Sequence, residues 1–184
     1  MHIQPVVFKN FYTMSARPSA YDKQEPREMV RTFSKSFVLP DERVNHALFD
    51  ENLAQKIASY KEQAVSPVID MLKDTDNEKD ITAGLFLLNR IIDAGAKNVG
   101  DTYPVISRFN YSKSHNVQVM LAGIYRKTLV PDGFGPLVTM FLKNSQNPVQ
   151  IPFDPNEEVG GAILEYLRNK ASTSVYEKNP ANTL

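Results

Sequence analysis

The sequence has no cysteine and only three histidines among its 184 residues. The absence of cysteine excludes disulfides, thiol nucleophiles and thiolate metal sites. The histidines, His2, His46 and His115, lie far apart and in no spacing typical of a metal site, so histidine-led metal chemistry is disfavoured. No cofactor is predicted from these residues.

Neither sign of charge is in excess, because lysine and arginine together number 21, as do aspartate and glutamate. This balance argues against a general attraction to nucleic acid or to an anionic membrane. No stretch approaches the ~18 consecutive apolar residues of a membrane span, and the N-terminus lacks the basic start and apolar run of a signal peptide. We therefore expect no nucleic-acid or membrane partner, and the cytoplasm is the default location.

The composition, 42% hydrophobic and 23% charged, is typical of a globular domain. Within it, residues 1–40 combine spaced prolines with scattered aromatic rings. The prolines interrupt helices, whereas the rings argue against a solvated tail. Residues 1–40 are therefore predicted to form an irregular arm packed on the domain, with a short helix near Pro26–Phe33. This arm either caps the helical stack or is exchanged with a partner chain.

From residue 41 to about residue 170 the apolar residues follow a helical period. Asp50 is a suitable N-cap for the first helix of this domain. At Ser66-Pro67 the chain either starts a new helix or kinks a longer one, and the residues do not decide between the two. Residues 171–184 lack the period and are predicted to be a flexible C-terminal tail.

A short motif recurs three times within the helical domain, at intervals of roughly 30–40 residues that are typical of stacked helical pairs. The copies are Pro67–Leu72, Pro104–Phe109 and Pro136–Phe141. Each copy is followed by a series of apolar residues at every third or fourth position, with Thr128 weaker at the last place of the second series and Lys170 failing at the last place of the third. The second helices are predicted from the series that begin at Ile81, Val117 and Val159.

An arginine occupies one equivalent position in each predicted second helix: Arg90, Arg126 and Arg168. At 100° per residue, this position falls opposite the buried apolar stripe. A row of arginines is able to pair with acidic side chains or phosphates of a partner. The alternative is that each arginine is merely a cation favoured near the end of its helix by the helix dipole.

The first unit, Pro67–Ile92, resembles a HEAT repeat, with a proline-bearing first helix, an acidic turn and a second helix rich in small and aliphatic residues. The resemblance extends over about residues 60–170 and fades in the third unit. It implies an all-α fold, an α-α superhelix of about three helical hairpins, and most often protein binding. It transfers no catalytic residue. Thr82, where these repeats often have arginine, and the long loop Ser145–Pro155 depart from the pattern.

The acidic turn Asp74–Asp80 has carboxylates at alternating positions, as a calcium loop does. However, Lys79 and Leu85 stand where such a loop needs its glycine and its bidentate glutamate. We therefore interpret the turn as a cap for the helix that follows, contributed by Asp76, Asn77 or Asp80.

No catalytic motif is recognisable, so the sequence leaves enzymatic activity undecided and favours its absence. The leading hypothesis is a non-enzymatic interaction or scaffold module that binds another protein through the face lined by the second helices. The alternative is a small α-helical enzyme or ligand-binding protein with a pocket between the N-terminal arm and the helical stack. The sequence identifies neither the partner nor the oligomeric state.

Overall fold

The computed structural model describes residues 25–39, 47–146 and 155–178, with side chains described as far as Lys170. These residues form eight α-helices, three short 3₁₀ helices and no strand, which confirms the all-α prediction. The helices are α1 (Pro26–Ser36), α2 (Glu51–Ser59), α3 (Glu62–Lys73), α4 (Glu78–Asp93), α5 (Tyr103–Ile106), α6 (His115–Thr128), α7 (Phe134–Gln146) and α8 (Pro155–Lys178). No helix within the described ranges is both long and apolar enough to cross a bilayer.

Helix α1 belongs to the core, where it packs against α2, α3 and α4. Pro26 begins it, at a position where the missing N–H costs no helical hydrogen bond. The ring of Phe33 is fully buried and lies 5.9 Å from the rings of both Phe49 and Phe86, centroid to centroid. The predicted helix near Pro26–Phe33 is therefore present and extends to Ser36. Phe37, the next aromatic residue, is also buried. The aromatic residues of the predicted arm at positions 8, 11, 12 and 21 lie outside the described residues.

The break between α2 and α3 falls at Tyr60 and Lys61. The prediction that a new helix starts at Ser66 is therefore wrong, and so is a single long helix from Asp50, although α3 does continue through Pro67. Asp50 caps α2 as predicted, and its carboxylate accepts a hydrogen bond from the N–H of Leu53. The chain then tightens through bonds to carbonyls three residues back and takes a positive φ of 49° at Lys61. Pro67 lies inside α3, where the buried residues Val68, Ile69 and Leu72 keep the helix in place.

The second helix of the first unit begins as the sequence predicts. The side chain of Asn77 accepts hydrogen bonds from the N–H groups of Lys79 and Asp80, which caps α4. Helix α4 packs against α2 and α3 on one side and α6 on the other, and α6 in turn packs against α8.

Helices α4 and α6 run in the same direction. Ser114, at the start of α6, donates to the carboxylate of Glu78 at the start of α4. At the other end, Lys127 forms an ion pair with Asp93 at 2.8 Å. Contacts that join start to start and end to end require a parallel pair.

The first helix of the second unit is not the regular helix expected at Pro104–Phe109. Instead, 3₁₀ helices at Val99–Thr102 and Ser107–Phe109 flank the four-residue α5. Tight bonds to carbonyls three residues back recur through this segment, as in Asn110 N–H to the carbonyl of Ser107. A 3₁₀ helix turns more tightly than an α-helix, and here it still brings Ile106 and Phe109 into the core.

Helix α8 runs to Lys178, eight residues beyond the boundary predicted for a C-terminal tail. The reason is local, because neither proline nor glycine occurs between Ala171 and Lys178, and the next proline is at position 180. Residues 171–178 are therefore helical although their apolar residues do not follow a helical period.

Candidate functional site

The three predicted arginines lie on α4, α6 and α8, three helices that pack in that order. The apolar positions that precede them are buried as expected in α4 and α6, where Leu85, Leu88, Leu121 and Ile124 are inaccessible to solvent. The side chains of Arg90 and Arg126 are 39% and 40% exposed, and that of Arg168 is 75% exposed. The structure thus sets the first two at the seams between helices and the third on the surface.

Arg90 connects α4 to α2. Its Nη2 atom donates to both carboxylate oxygens of Glu51, at 2.8 and 2.7 Å. The guanidinium also lies over the ring of Phe86, 5.3 Å from the centroid, which adds a cation–π contact. Arg90 therefore has a structural role in addition to any contact with a partner.

Arg126 makes the equivalent connection between α6 and α8. Its Nη2 atom lies 3.0 Å from Oε1 of Glu158, and its Nη1 lies 3.6 Å from where a Cβ on Gly161 would stand. Arg168 is paired more loosely within its own helix, with Nη1 3.8 Å from the carboxylate of Glu165. The sequence placed the arginines at equivalent positions but gave no sign of the glutamates on neighbouring helices.

A second feature, which the sequence reasoning missed, is a group of exposed apolar side chains on the last two helices. We call it the α7–α8 patch, and it consists of Phe141 and Leu142 on α7 and of Leu164 and Leu167 on α8. Leu164 and Leu167 are 54% and 49% exposed. The sequence did contain one indication of this patch. Leu164 and Leu167 fall outside the apolar series that starts at Val159, which means that α8 is apolar on more than one side.

A third feature is a cleft of about 330 Å³ between α1 and the region where α3 turns into α4. This α1–α3 cleft has an apolar floor that includes Val30 and Met71. Its charged lining residues are Arg27, Arg31, Asp70, Asp74 and Asp80.

One ion pair joins the walls of the cleft, because Nη2 of Arg27 lies 2.6 Å from the carboxylate of Asp70. Deeper in, Asp80 accepts a hydrogen bond from the hydroxyl of Ser34, and Lys79 donates to the Ser34 carbonyl at 2.8 Å. The cleft therefore holds charges of both signs, in part already paired with one another. In the described residues, no group of three or more His, Asp or Glu side chains is arranged to hold a metal ion.

The side chains whose pKa departs most from its ordinary value are two tyrosines, and neither lines the α1–α3 cleft. Burial raises the pKa of Tyr166 to about 12 and that of Tyr125 still further. The Tyr166 hydroxyl donates to the carbonyl of Val130 at 2.6 Å, and the Tyr125 hydroxyl donates to the side-chain oxygen of Asn110. Tyr166 thereby fixes the chain between α6 and α7, and Tyr125 fixes the chain that precedes α6. Phenols that are held protonated and hydrogen-bonded in this way are not poised as bases.

No family model matches the chain, and no curated protein or solved structure is significantly similar to it. The function of this all-helical protein is therefore inferred from the geometry of its described residues.

Proposed function

We propose that the protein is a non-enzymatic interaction module that binds another protein through the face lined by α4, α6 and α8. In this proposal the helices form HEAT-like pairs, α3 with α4, the α5 region with α6, and α7 with α8, stacked as an α-α superhelix. The parallel packing of α4 on α6 and the contacts of α6 with α8 support such a stack.

The observation that carries the proposal is the combination of Leu164 and Arg168 on the exposed side of α8. The two residues are four positions apart, so they are neighbours on the helix surface. The leucine is 54% exposed and the arginine 75% exposed. Exposed apolar side chains beside an arginine are the composition that protein interfaces favour. Arg126 and Arg90 add two guanidinium groups to this face, each paired with a glutamate that an acidic side chain of the partner would share or displace.

The test is affinity capture of partners from source cells with a variant in which two ion pairs are inverted. The variant carries Arg90→Glu with Glu51→Arg, and Arg126→Glu with Glu158→Arg. Each pair keeps its attraction and the net charge is unchanged, but each reversed charge opposes its helix dipole and lowers stability somewhat. Circular dichroism and the thermal midpoint therefore establish first that the variant is folded at the temperature of the capture experiment. We expect the variant to lose the partner that the wild type captures.

The matched control inverts the ion pair of the α1–α3 cleft, as Arg27→Asp with Asp70→Arg. This control should capture the same partner as the wild type. If the first variant folds and still captures the partner at the wild-type level, the arginines of α4 and α6 are not part of the binding face.

A second candidate function rests on the α1–α3 cleft, which lies between the N-terminal helix and the rest of the stack. In this alternative the protein is a small α-helical enzyme or a ligand-binding protein. The cleft volume of about 330 Å³ falls at the lower end of ligand pockets. Ligand binding would then be abolished by inversion of the Arg27–Asp70 pair and unaffected by inversion of the pairs at Arg90 and Arg126.

A further inference from the structure

Helix α8 carries two separate apolar stripes. One stripe contains Val159 and Ala162, which are fully buried in the core. The other contains Gly160, Leu164 and Leu167, whose spacing of four and three residues puts them on one side of the helix. At 100° per residue the second stripe points well away from the first. The Gly160 end of the second stripe packs against α7, whereas Leu164 and Leu167 are exposed, so packing within the described residues does not account for these two leucines.

Helix α7 widens this second stripe into a surface. The ring of Phe141 lies over Gly160, with Cε2 3.4 Å from where a Cβ on Gly160 would stand. The absence of a side chain at Gly160 thus lets Phe141 continue the apolar surface formed by Leu164 and Leu167. Leu142, the next residue on α7, is 56% exposed. The contact of Phe141 with Gly160 therefore joins the apolar stripe of α8 to helix α7.

The exposed charges of α8 are distributed unequally along its axis. Glu157, in the first turn, is exposed, whereas Arg168 and Lys170 are exposed towards the other end of the described surface. Glu165, which pairs with Arg168, lies about 100° from Leu164 around the helix and so away from the patch. Glu157 and Arg168 are about 16 Å apart along the helix, at 1.5 Å per residue. Their angular positions around the helix differ little, and both border Leu164. The helix thus presents an apolar patch with an acidic end and a basic end.

We propose that the α7–α8 patch binds a second copy of this chain, with the two α8 helices antiparallel across a two-fold axis. An antiparallel copy brings Glu157 of each protomer opposite Arg168 of the other, and the leucines of each against Phe141 and the leucines of its partner. A parallel copy would oppose like charges at both ends. A two-fold axis also requires a self-complementary surface, and a charge pattern that reverses along the helix satisfies this requirement. The inference rests on the proposed function in so far as it makes this part of the protein an interaction surface, and a second copy would compete with the other protein for Leu164 and Arg168.

The first experiment measures the mass of the purified full-length chain by sedimentation equilibrium over a range of concentrations. The wild type should show a reversible monomer–dimer equilibrium. Leu164→Asp with Leu167→Asp should raise the dissociation constant at least about 100-fold, because the centre of an interface contributes most to its affinity. The control Leu48→Asp, at a residue that is 45% exposed but lies far along the chain from α7 and α8, should leave the dissociation constant unchanged.

The second experiment tests the antiparallel orientation by charge reversal. Glu157→Arg alone and Arg168→Glu alone should each weaken self-association, because each places like charges opposite one another twice in the dimer. An equimolar mixture of the two variants should form a heterodimer in which both charge pairs are attractive, and association should return to the wild-type level. Circular dichroism of each variant confirms that the fold is retained.

A wild-type chain that stays monomeric at every concentration would overturn the dimer. The proposed binding of another protein would survive that result, because the inverted pairs at Arg90 and Arg126 test it separately. A wild type that dimerises while the mixed charge variants do not would overturn the antiparallel arrangement. Wild-type dimerisation that Leu164→Asp with Leu167→Asp does not weaken would place the dimer contact on another surface.

Discussion

Gly133 lies so close to two aromatic rings that there is no room for a Cβ atom. A Cβ there would lie 2.6 Å from the hydroxyl oxygen of Tyr166 and 3.1 Å from the ring of Tyr125. Neither ring can move easily, since the hydroxyl of Tyr166 is held by the Val130 carbonyl and Tyr125 is fully buried. Gly133 is needed for close approach, because the chain turns tightly from α6 into α7 against two aromatic rings.

We predict that Gly133→Ala lowers the free energy of unfolding by about 1–3 kcal/mol, the usual cost of overpacking. The matched control is Gly135→Ala, two residues further on, where a Cβ would meet nothing within 4 Å. Because Gly135 lies in the first turn of α7, its replacement should be neutral or stabilise by up to about 1 kcal/mol. Urea unfolding of both variants measures the difference. Equal stability of the two alanine variants would show that the rings are not packed against Gly133.

The buried tyrosines make stability depend on alkaline pH. In the unfolded chain a tyrosine loses its proton near pH 10, whereas burial raises the pKa of Tyr166 in the folded protein to about 12. Between these values the unfolded state binds fewer protons than the folded state, so stability falls as pH rises. The stabilising contribution of Tyr166 is complete below about pH 10 and is lost as the pH rises towards 12.

Replacement of Tyr166 by phenylalanine should therefore flatten the fall in stability above about pH 10. At neutral pH the same variant should be less stable by about 1 kcal/mol, because it loses the hydrogen bond to Val130. Urea unfolding at a series of pH values measures both effects. Tyr111→Phe is the control, since the ring of Tyr111 is 71% exposed. A pH dependence that Tyr166→Phe leaves unchanged would contradict the assignment.

At the scale of the helices, the break between α2 and α3 depends on an unfavourable backbone conformation. Lys61 has φ 49° and ψ −122°, a combination that side chains with a Cβ rarely adopt. We predict that Lys61→Gly raises the thermal midpoint, with a gain of up to about 1 kcal/mol from relief of this strain. Lys61→Ala keeps the Cβ and should give no such gain. A destabilising Lys61→Gly substitution would show that α2 and α3 do not meet in this conformation.

The same break shows where sequence patterns stop being informative. The start of α4 was predictable because Asn77 and the apolar series after it act locally, through capping and helical period. Lysine is a good helix former, so nothing local at Lys61 indicates a break. The break was predicted at Ser66-Pro67 instead, because proline commonly starts or bends a helix. The conformation of Lys61 is set by how α2 and α3 pack on α4, which is a tertiary effect.

The candidate site was predictable to a similar extent. Helical spacing gave Arg90, Arg126 and Arg168 equivalent positions, and the structure places them on three helices that pack in order. The partners of the first two could not be predicted, because Glu51 and Glu158 lie on other helices. The α7–α8 patch was missed for a related reason, since the exposure of Leu164 depends on what covers α8.

At the scale of the whole molecule, two surfaces compete as the site of function. The face lined by α4, α6 and α8 carries Arg126 and Arg168, with the α7–α8 patch beside them. The α1–α3 cleft carries Arg27 and Arg31. Both contain arginines, so a single arginine-specific reagent reports on both surfaces in one experiment.

The most direct test is to label the chain with a dicarbonyl reagent, alone and with its captured partner, and to measure each modified arginine by mass spectrometry. The account predicts that the partner protects Arg126 and Arg168 and leaves Arg27 and Arg31 as reactive as before. The chain is labelled at a concentration at which sedimentation shows it to be monomeric, so that self-association does not protect Arg168 in the sample without partner. Protection of Arg27 and Arg31, with Arg126 and Arg168 unchanged, would contradict the account and place the functional site in the α1–α3 cleft.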